Sequence, residues 1–331
     1  MSIIKMLSLI LSFFASLSLM ADETAKTTVL GKAANEMKSG EWKKLETVGF
    51  NKELLLSGGK SILPYTNKAA WDSKTETVSF IGMCHMTPPM KHIQYNAKDN
   101  TWLVLPPEEW YKENVWFHAY DNSTASNGYF YHNFWGSRVW QFEILKKEWV
   151  ELPNVLVKGS HGASLSFFPD MGKNGSLIHL FGSNGVQIYD LETKSWKKFD
   201  KKVREIGPYH NVSAYHAKRK TLIFGGGNGC KILYELNSEG NIAELKPAPL
   251  PIGVNSSTFV IDPASGNLIV YDYLKTQKIY SLDIDKEGSD WVEKPVSAEF
   301  SKYRANSAVV SIETYGVTMW FNDLGVFLYK H

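Results

Sequence analysis

The sequence predicts an all-β fold, a six-bladed β-propeller whose ring is closed by its N-terminal strand. The main observation is a repeat: an aromatic residue within a short apolar run recurs at intervals of 47, 47, 45, 46 and 47 residues. The flanking runs lack the periodicity of about 3.6 residues that helices require. Four short strands in about 45–50 residues are typical of a propeller blade. The recurring residues are Tyr95, Phe142, Tyr189, Tyr234, Tyr280 and Phe327.

The N-terminal segment, residues 1–21, predicts a secretory signal peptide. Lys5 supplies a positive charge, and an apolar, Ser-rich run of 15 residues follows from Met6 to Met20, which is short for a membrane span. An uncleaved anchor is the alternative. Residues 22–40 are polar and poor in aromatic residues, so we expect a flexible leader. No later run is apolar over about 18 residues, so we expect a secreted or periplasmic protein with no membrane insertion after signal removal.

Each repeat is expected to contain a hairpin formed by its third and fourth strands. In the first three repeats a Trp follows the aromatic residue by seven positions, across a polar turn. The fourth repeat has Ile242 at that position, and the fifth has a longer turn that ends at Trp291. Polar turn residues between β-rich runs are typical of hairpins. The three regularly spaced residues are Trp102, Trp149 and Trp196.

A second hairpin, between the first and second strands, recurs with the same period. In each repeat we expect one polar residue to end the first strand and open a tight turn. Together the two hairpins give four strands per repeat. The residues expected at these turns are Asp72, Asp121, Asp170, His216, Asp262 and Glu313.

The sixth repeat lacks a fourth strand, because the chain reaches His331 directly after the third one. Residues 41–46, EWKKLE, look like the Trp-bearing outer strand of the other repeats. We therefore predict that this N-terminal strand completes the sixth blade and closes the ring, which removes exposed sheet edges. Residues 41–331 would then form one domain.

The repeats resemble kelch repeats, in which a hydrophobic strand precedes a Gly pair, a Tyr and then a Trp. The fourth repeat carries the pattern best, with LIFGGG at Leu222–Gly227 followed by Tyr234. The third has LIHLFG before Tyr189, whereas the Gly pair is eroded in the others. The chain is thus similar to secreted bacterial relatives of the kelch and galactose-oxidase central domains. This resemblance implies an architecture rather than an activity, since such propellers share a fold and not a function.

Charge and cysteine content exclude several classes of protein. The 36 Lys and Arg residues against 34 Asp and Glu residues give a formal charge of +2, which provides no basic surface for nucleic acid. Two cysteines cannot form a disulfide scaffold or a Cys-rich metal site. Cys84 and Cys230 fall in equivalent loops of opposing blades, too far apart for a disulfide, so we predict two free thiols.

The connections into each first strand and the loops between second and third strands share one face of a propeller, here called the loop face. We expect a polar funnel there that could hold a sugar, an anion or a metal. The alternative is that each His simply bonds a neighbouring blade. The funnel candidates are His85, His118, His161, His210, Asn255, Arg304 and Asn306.

Tyr209 and His210 lie in the run PYHNVSAYHAKRKTLIFGGGNGC, which resembles the copper-ligating Tyr-His segment of galactose and glyoxal oxidases. That copper chemistry needs a second Tyr cross-linked to a Cys and a His from a later domain. The chain ends inside the last blade, and those oxidases have seven blades rather than six. We therefore expect no copper, no other cofactor and no metal, and a mainly structural Tyr-His pair.

Aromatic residues are concentrated between Trp110 and Trp140. Some of them fall in two loop-face loops beside His118 and His132, where they could form a flat platform. Such a platform suits a pyranose ring, whose apolar face stacks while its hydroxyls form hydrogen bonds. Ordinary core packing between blades is the alternative. The platform candidates are Trp110, Tyr111, Phe134 and Trp135.

These observations favour a secreted, monomeric binding or scaffold module with a carbohydrate or protein ligand on the loop face. The alternative is a carbohydrate-active enzyme resembling a sugar epimerase or mutarotase. No nucleophile elbow, metalloprotease motif or phosphate-binding loop occurs, so no catalytic residue is assigned. The enzyme hypothesis would use His118, His161, His210 and Arg304 for acid–base chemistry.

Overall fold

The computed structural model describes residues 27–84, 87–108, 118–159, 162–182, 185–199, 201, 203, 206–254 and 256–331. In these residues, six antiparallel sheets of four strands form the blades of a propeller, as predicted. The first strand of each blade contacts the first strand of the next, and that of the sixth contacts that of the first. The six innermost strands therefore enclose a central channel.

The first elements precede the first blade. They are helix α1 (Val29–Glu36) and strands β1 (Glu41–Leu45), β2 (Leu56–Ser57) and β3 (Lys60–Ser61). Blade one contains β4 (Ala70–Asp72), β5 (Thr77–Cys84), β6 (Thr87–Asn96) and β7 (Thr101–Val104). Blade two contains β8 (Ser123–Ser126), β9 (Tyr129–Phe134), β10 (Arg138–Glu143) and β11 (Glu148–Glu151). Blade three contains β12 (Ser164–Phe168), β13 (Ser176–Leu180), β14 (Val186–Asp190) and β15 (Ser195–Lys198).

Blade four contains β16 (Asn211–His216), β17 (Thr221–Gly226), β18 (Leu233–Asn237) and β19 (Ile242–Glu244). Blade five contains β20 (Thr258–Ile261), β21 (Leu268–Asp272), β22 (Lys278–Leu282) and β23 (Val292–Lys294). Blade six contains β24 (Ala308–Ile312), β25 (Val317–Asn322), β26 (Gly325–Lys330) and, as its outer strand, β1. Short 3-10 helices span Lys52–Leu55, Leu63–Tyr65, Phe300–Lys302 and Glu313–Tyr315.

Ring closure by the N-terminal strand is confirmed. Strand β1 pairs antiparallel with β26 in a register that runs from Glu41 opposite Lys330 to Leu45 opposite Val326. The Trp42 ring stacks on Phe300 with a centroid distance of 4.7 Å. Because β1 covers the outer edge of β26, the first and last strands of the ring are held in one sheet.

The segment expected to be a flexible leader contains an ordered helix, so this prediction is wrong for its described part. Thr28 caps α1, accepting a hydrogen bond of 2.9 Å from the backbone N–H of Gly31. Leu30 and Ala34 are completely buried against the core shared by blades one and six. The polar composition of the segment concealed a narrow apolar stripe at positions 30, 33, 34 and 37, which is the spacing of one helix face.

Five of the six predicted first hairpin turns are confirmed, and the turn at Asp121 is wrong. In blade two the turn lies at Asn127 and Gly128, where φ is 55° and 91°. Asn-Gly is the pair best suited to a two-residue hairpin turn, since both positions need positive φ. Asp121 instead precedes β8 and is only 2% exposed.

The predicted pairing of third and fourth strands is confirmed by register. Tyr95 lies opposite Trp102, Phe142 opposite Trp149 and Tyr189 opposite Trp196. These cross-strand pairs account for part of the high aromatic content, because each one packs against the neighbouring blade.

Both cysteines are free thiols, as predicted. Cys84 is buried, whereas Cys230 is half-buried in the loop after β17. We expect iodoacetamide to alkylate Cys230 in the native protein and Cys84 only after unfolding, because reagent access requires exposure. Mass spectrometry of the alkylated peptides, with and without urea, measures this difference. Equal labelling of both thiols in the native state would contradict the burial of Cys84.

Within the described part of the chain, no helix is long and apolar enough to cross a membrane.

Candidate functional site

Several predicted site residues cannot be placed. Five of the loop-face candidates lie outside the described residues: His85, Trp110, Tyr111, His161 and Asn255. Their proposed roles remain sequence predictions.

Three of the other candidates come together on the loop face near the propeller axis. His118 precedes the inner strand of blade two, and Tyr209 and His210 precede that of blade four. The Nδ1 atom of His118 is 3.0 Å from the Tyr209 hydroxyl oxygen, a hydrogen bond that spans 91 residues of sequence. The Tyr209 and His210 rings are 4.3 Å apart. The geometry thus assembles residues that the sequence placed in separate repeats.

Two tyrosines that the sequence analysis did not single out complete this group. Tyr65 stacks on His118 with ring centroids 4.8 Å apart. Tyr120 packs edge-on against His210 at 4.6 Å and against His118 at 4.9 Å. Tyr120 was visible in the run HAYD beside His118, whereas nothing about Tyr65 marked it before the ring was assembled. We call Tyr65, His118, Tyr120, Tyr209 and His210 the loop-face aromatic cluster.

Two members of the cluster adopt a left-handed backbone conformation outside any hairpin turn. The φ angles are 36° at Tyr120 and 65° at His210. Bulky residues in this region carry strain of about 1–3 kcal/mol and persist only where the surroundings enforce it. The His210 backbone packs closely against Gly162, where an added Cβ atom would come within 2.6 Å of the His210 nitrogen. Strain at two rings in mutual contact is an observation that favours a functional role.

Burial keeps the inner part of the cluster uncharged. His210 is 5% exposed, and its Nδ1 lies 2.7 Å from the Asn228 side-chain oxygen, so Nδ1 carries the proton. Desolvation lowers the pKa of His210 to about 4, and the hydrogen bond to Asn228 opposes this shift. Burial also raises the pKa of the Tyr120 and Tyr209 hydroxyls. At pH 7 these three side chains are neutral hydrogen-bonding groups.

The two platform candidates that the structure describes, Phe134 and Trp135, do not form an exposed aromatic surface. Phe134 ends strand β9, is 3% exposed and packs 4.3 Å from the His132 ring, so it belongs to the core between blades. His132 is fully buried and lies 2.8 Å from the Ser123 hydroxyl. Trp135 is half-buried against the same core. These rings pack into the apolar core beside blade two, so for them the structure agrees with the alternative of ordinary core packing between blades.

The last two funnel candidates are also separate from the cluster. Asn306 is 3% exposed and donates to the Leu63 carbonyl at 2.7 Å, while its oxygen accepts from Thr258 at 2.9 Å. It therefore holds blades five, six and one together rather than facing a ligand. Arg304 is exposed, with its Nε 3.1 Å from the Gln277 side-chain amide.

A buried charge pair lies beneath the cluster, and the sequence analysis missed it. The Lys68 ammonium group reaches from blade one to Asp121 Oδ1 at 3.0 Å and to the Ser213 carbonyl of blade four at 2.8 Å. It also donates to the Leu165 carbonyl and to the Ser166 hydroxyl, each at 2.9 Å. Burial lowers the pKa of Lys68 and raises that of Asp121, while their mutual attraction opposes both shifts. We call Lys68, Asp121, Ser164, Ser166 and Ser213 the axial polar cluster.

Side chains that could bind a metal ion are not grouped in the described residues. In the ranges given above, no three His, Cys, Asp or Glu side chains are grouped closely enough to hold a metal ion.

Comparison with known proteins supports the fold and leaves the activity open. No protein-family model and no curated protein matches the sequence. Among solved structures, 807 chains match, and a fold so widely shared does not indicate one function. One similar chain comes from "Crystal Structure of Mitotic Checkpoint Complex", with a TM-score of 0.50, 11% identity and coverage of 89% of this chain and 94% of that chain. At this identity the likeness shows the propeller fold alone.

Proposed function

We propose that the protein is a kelch-type binding module that holds a carbohydrate on the loop-face aromatic cluster. The observation that carries the proposal is the group of half-buried rings, Tyr65, His118 and Tyr209, packed over Tyr120 and the neutral His210. Aromatic faces stack on the apolar face of a sugar ring, while hydroxyl and imidazole groups bond to its hydroxyls. Because the inner groups are neutral, the cluster suits an uncharged sugar.

We also propose that the protein acts outside the cytoplasm, on the basis of its N-terminal sequence. Residues 1–21 would direct export, so the ligand would be met in the periplasm or outside the cell. N-terminal sequencing of the protein recovered from the periplasm or the culture medium tests this, and a mature terminus near residue 22 is expected. A terminus at Met1 in the cytoplasmic fraction would contradict export.

A glycan array probed with the purified protein, followed by titration of the best glycan, tests the binding proposal. We expect Tyr209→Ala to weaken binding about tenfold or more, because it removes a ring that contacts three others in the cluster. The matched control is Tyr280→Ala, since Tyr280 is another half-buried tyrosine, whose hydroxyl lies 3.4 Å from Glu293 on blade five. Thermal melting confirms that each variant is folded. A lack of glycan binding, or equal affinity for both variants, would disprove the carbohydrate proposal.

Substitution of His210 separates binding from the alternative of sugar epimerisation. Asn tolerates the left-handed conformation at this position, so His210→Asn should preserve the backbone. A binding module is expected to retain measurable affinity in this variant, with no turnover before or after the change. An enzyme that uses His210 for proton transfer would show turnover of the bound sugar that falls by a factor of about 100 or more. Nuclear magnetic resonance of anomeric exchange in the glycan measures it.

A further inference from the structure

A cavity occupies the central channel on the face opposite the aromatic cluster. Its volume is about 280 Å³, and residues from all six innermost strands or their flanks line it. It extends from Lys68 to the turns after the first strands, where Asp72, Asn127 and Glu313 lie. The volume is near the lower end of the range of small-molecule sites, about 300 Å³. The channel is therefore large enough for a ligand of a few heavy atoms, entering from the face that carries the turns after the first strands.

The inner end of this channel already coordinates an ammonium group. Lys68 Nζ is surrounded by the carbonyls of Leu165 and Ser213 and by the Ser166 hydroxyl, at 2.8–2.9 Å. These acceptors belong to the inner strands of blades three and four. Residues two positions apart in a strand lie on the same side. Phe167 and Tyr215, two positions after Leu165 and Ser213, line the next part of the channel. Because Lys68 already engages these acceptors, a ligand ammonium group would find its counter-charge only at the outer end of the channel.

The outer end of the channel carries a carboxylate. Glu313 lines the mouth, where desolvation by the surrounding blades raises the pKa of its carboxyl group to about 7. Among the described residues it forms no salt bridge. The other lining carboxylate, Asp72, is already engaged: it accepts from the backbone N–H groups of Thr75 and Gly128, each at 2.9 Å. Glu313 is therefore the group positioned to meet a ligand charge.

An anion fits this channel poorly. Asp121 neutralises Lys68, and the three ammonium protons are shared among four acceptors within 3.0 Å. The mouth presents a carboxylate, which repels a negative ligand. Partly exposed apolar lining residues, including Ala125, Phe167 and Ala214, favour a ligand with an apolar body.

We propose that the central channel binds an organic cation, a primary ammonium group on a short apolar chain, with the ammonium at Glu313. The apolar chain lies along the inner strands, and the half-buried Tyr215 of the lining contributes cation–π attraction. This site is separate from the loop-face cluster, so either proposal can fail without the other.

Calorimetric titration of the whole protein with n-hexylammonium chloride tests the proposal. We expect saturable binding of one molecule, with affinity reduced about tenfold by Glu313→Gln, which removes the charge and keeps the shape. Glu287→Gln is the matched control, because Glu287 is exposed and does not line the channel. Hexan-1-ol and hexanoate are expected to bind at least tenfold more weakly than the ammonium probe.

The pH dependence gives a second readout. Ionisation of Glu313 through a pKa of about 7 should strengthen binding about tenfold between pH 6 and pH 8, while the alkylammonium probe stays protonated. Glu313→Gln should abolish this pH dependence, which would show that it arises from Glu313 and not from another ionisable group near the mouth. The other ionisable groups there are Lys68, Asp72, Asp170, Tyr215, His216, Lys218 and Asp262.

Three outcomes would overturn the proposal. They are the absence of saturable binding, equal affinity for hexan-1-ol or hexanoate, and equal affinity in the Glu313→Gln and Glu287→Gln variants. Because desolvation of the ionised Glu313 carboxylate opposes folding, its replacement by Gln should not lower the melting temperature, and melting curves verify that the comparison concerns folded proteins.

Discussion

Asp121→Ala is expected to lower the free energy of unfolding by about 3–5 kcal/mol, because it leaves the buried Lys68 ammonium group without its counter-ion. The same change removes an acceptor from the Ser213 backbone N–H, which donates to Asp121 at 3.1 Å, and from the Ser164 hydroxyl. The Asp121 side chain is 3% exposed and that of Lys68 16%, so water cannot replace these bonds fully. Urea denaturation followed by tryptophan fluorescence measures the loss.

A double variant distinguishes the charge from the packing. Lys68→Met with Asp121→Asn removes both charges and keeps an oxygen for Ser164 and Ser213. We expect it to regain much of the stability lost in Asp121→Ala, because burying a charge pair is itself costly. Lys173→Met is the control: Lys173 forms a 2.7 Å pair with Glu192 and is 76% exposed, so a loss below about 1 kcal/mol is expected. Similar losses in Asp121→Ala and Lys173→Met would contradict the role of the axial polar cluster.

Removal of the closing strand is expected to be the second large effect. A chain that begins at residue 46 lacks β1, so the backbone edge of β26 and the rings packed on Trp42, including Trp320 and Tyr329, become exposed. A domain has a total stability of only about 5–15 kcal/mol, so the loss of a whole strand and its aromatic contacts is expected to unfold it, and an unpaired edge promotes aggregation. We expect an aggregated or unfolded product in size-exclusion chromatography and circular dichroism.

The matched control is a chain that begins at residue 38, which lacks α1 but retains β1. It should remain a folded monomer with a lower melting temperature, because Leu30 and Ala34 no longer cover the core of blades one and six. A synthetic peptide of residues 38–47 added during refolding should rescue the shorter chain. If the chain that begins at residue 46 folds as well as the control, β1 is dispensable and the closure described here is not what stabilises the ring.

Local patterns were sufficient to predict the blades. The spacing of Tyr95, Phe142 and Tyr189, together with the Trp seven residues after each, depends only on neighbouring strands of one hairpin. The wrong turn predicted at Asp121 has an equally local cause. Asp121-Asn122 and Asn127-Gly128 are both pairs that favour turns, and they lie only a few residues apart. Gly128, the better turn residue, was the signal that could have corrected it. The leader was misjudged because a helix of eight residues has little periodicity to detect.

The chain's own pattern therefore determined the number of blades, all their hairpins except the first one of blade two, and the strand that closes the ring. The tertiary structure alone decided which polar side chains meet at the axis. Lys68 and Ser213 are 145 residues apart, and His118 and Tyr209 are 91 apart. The physical reason is that closure of the ring brings the inner strands of non-adjacent blades close enough for side chains to form hydrogen bonds across the channel, and no sequence period records which side chains do so.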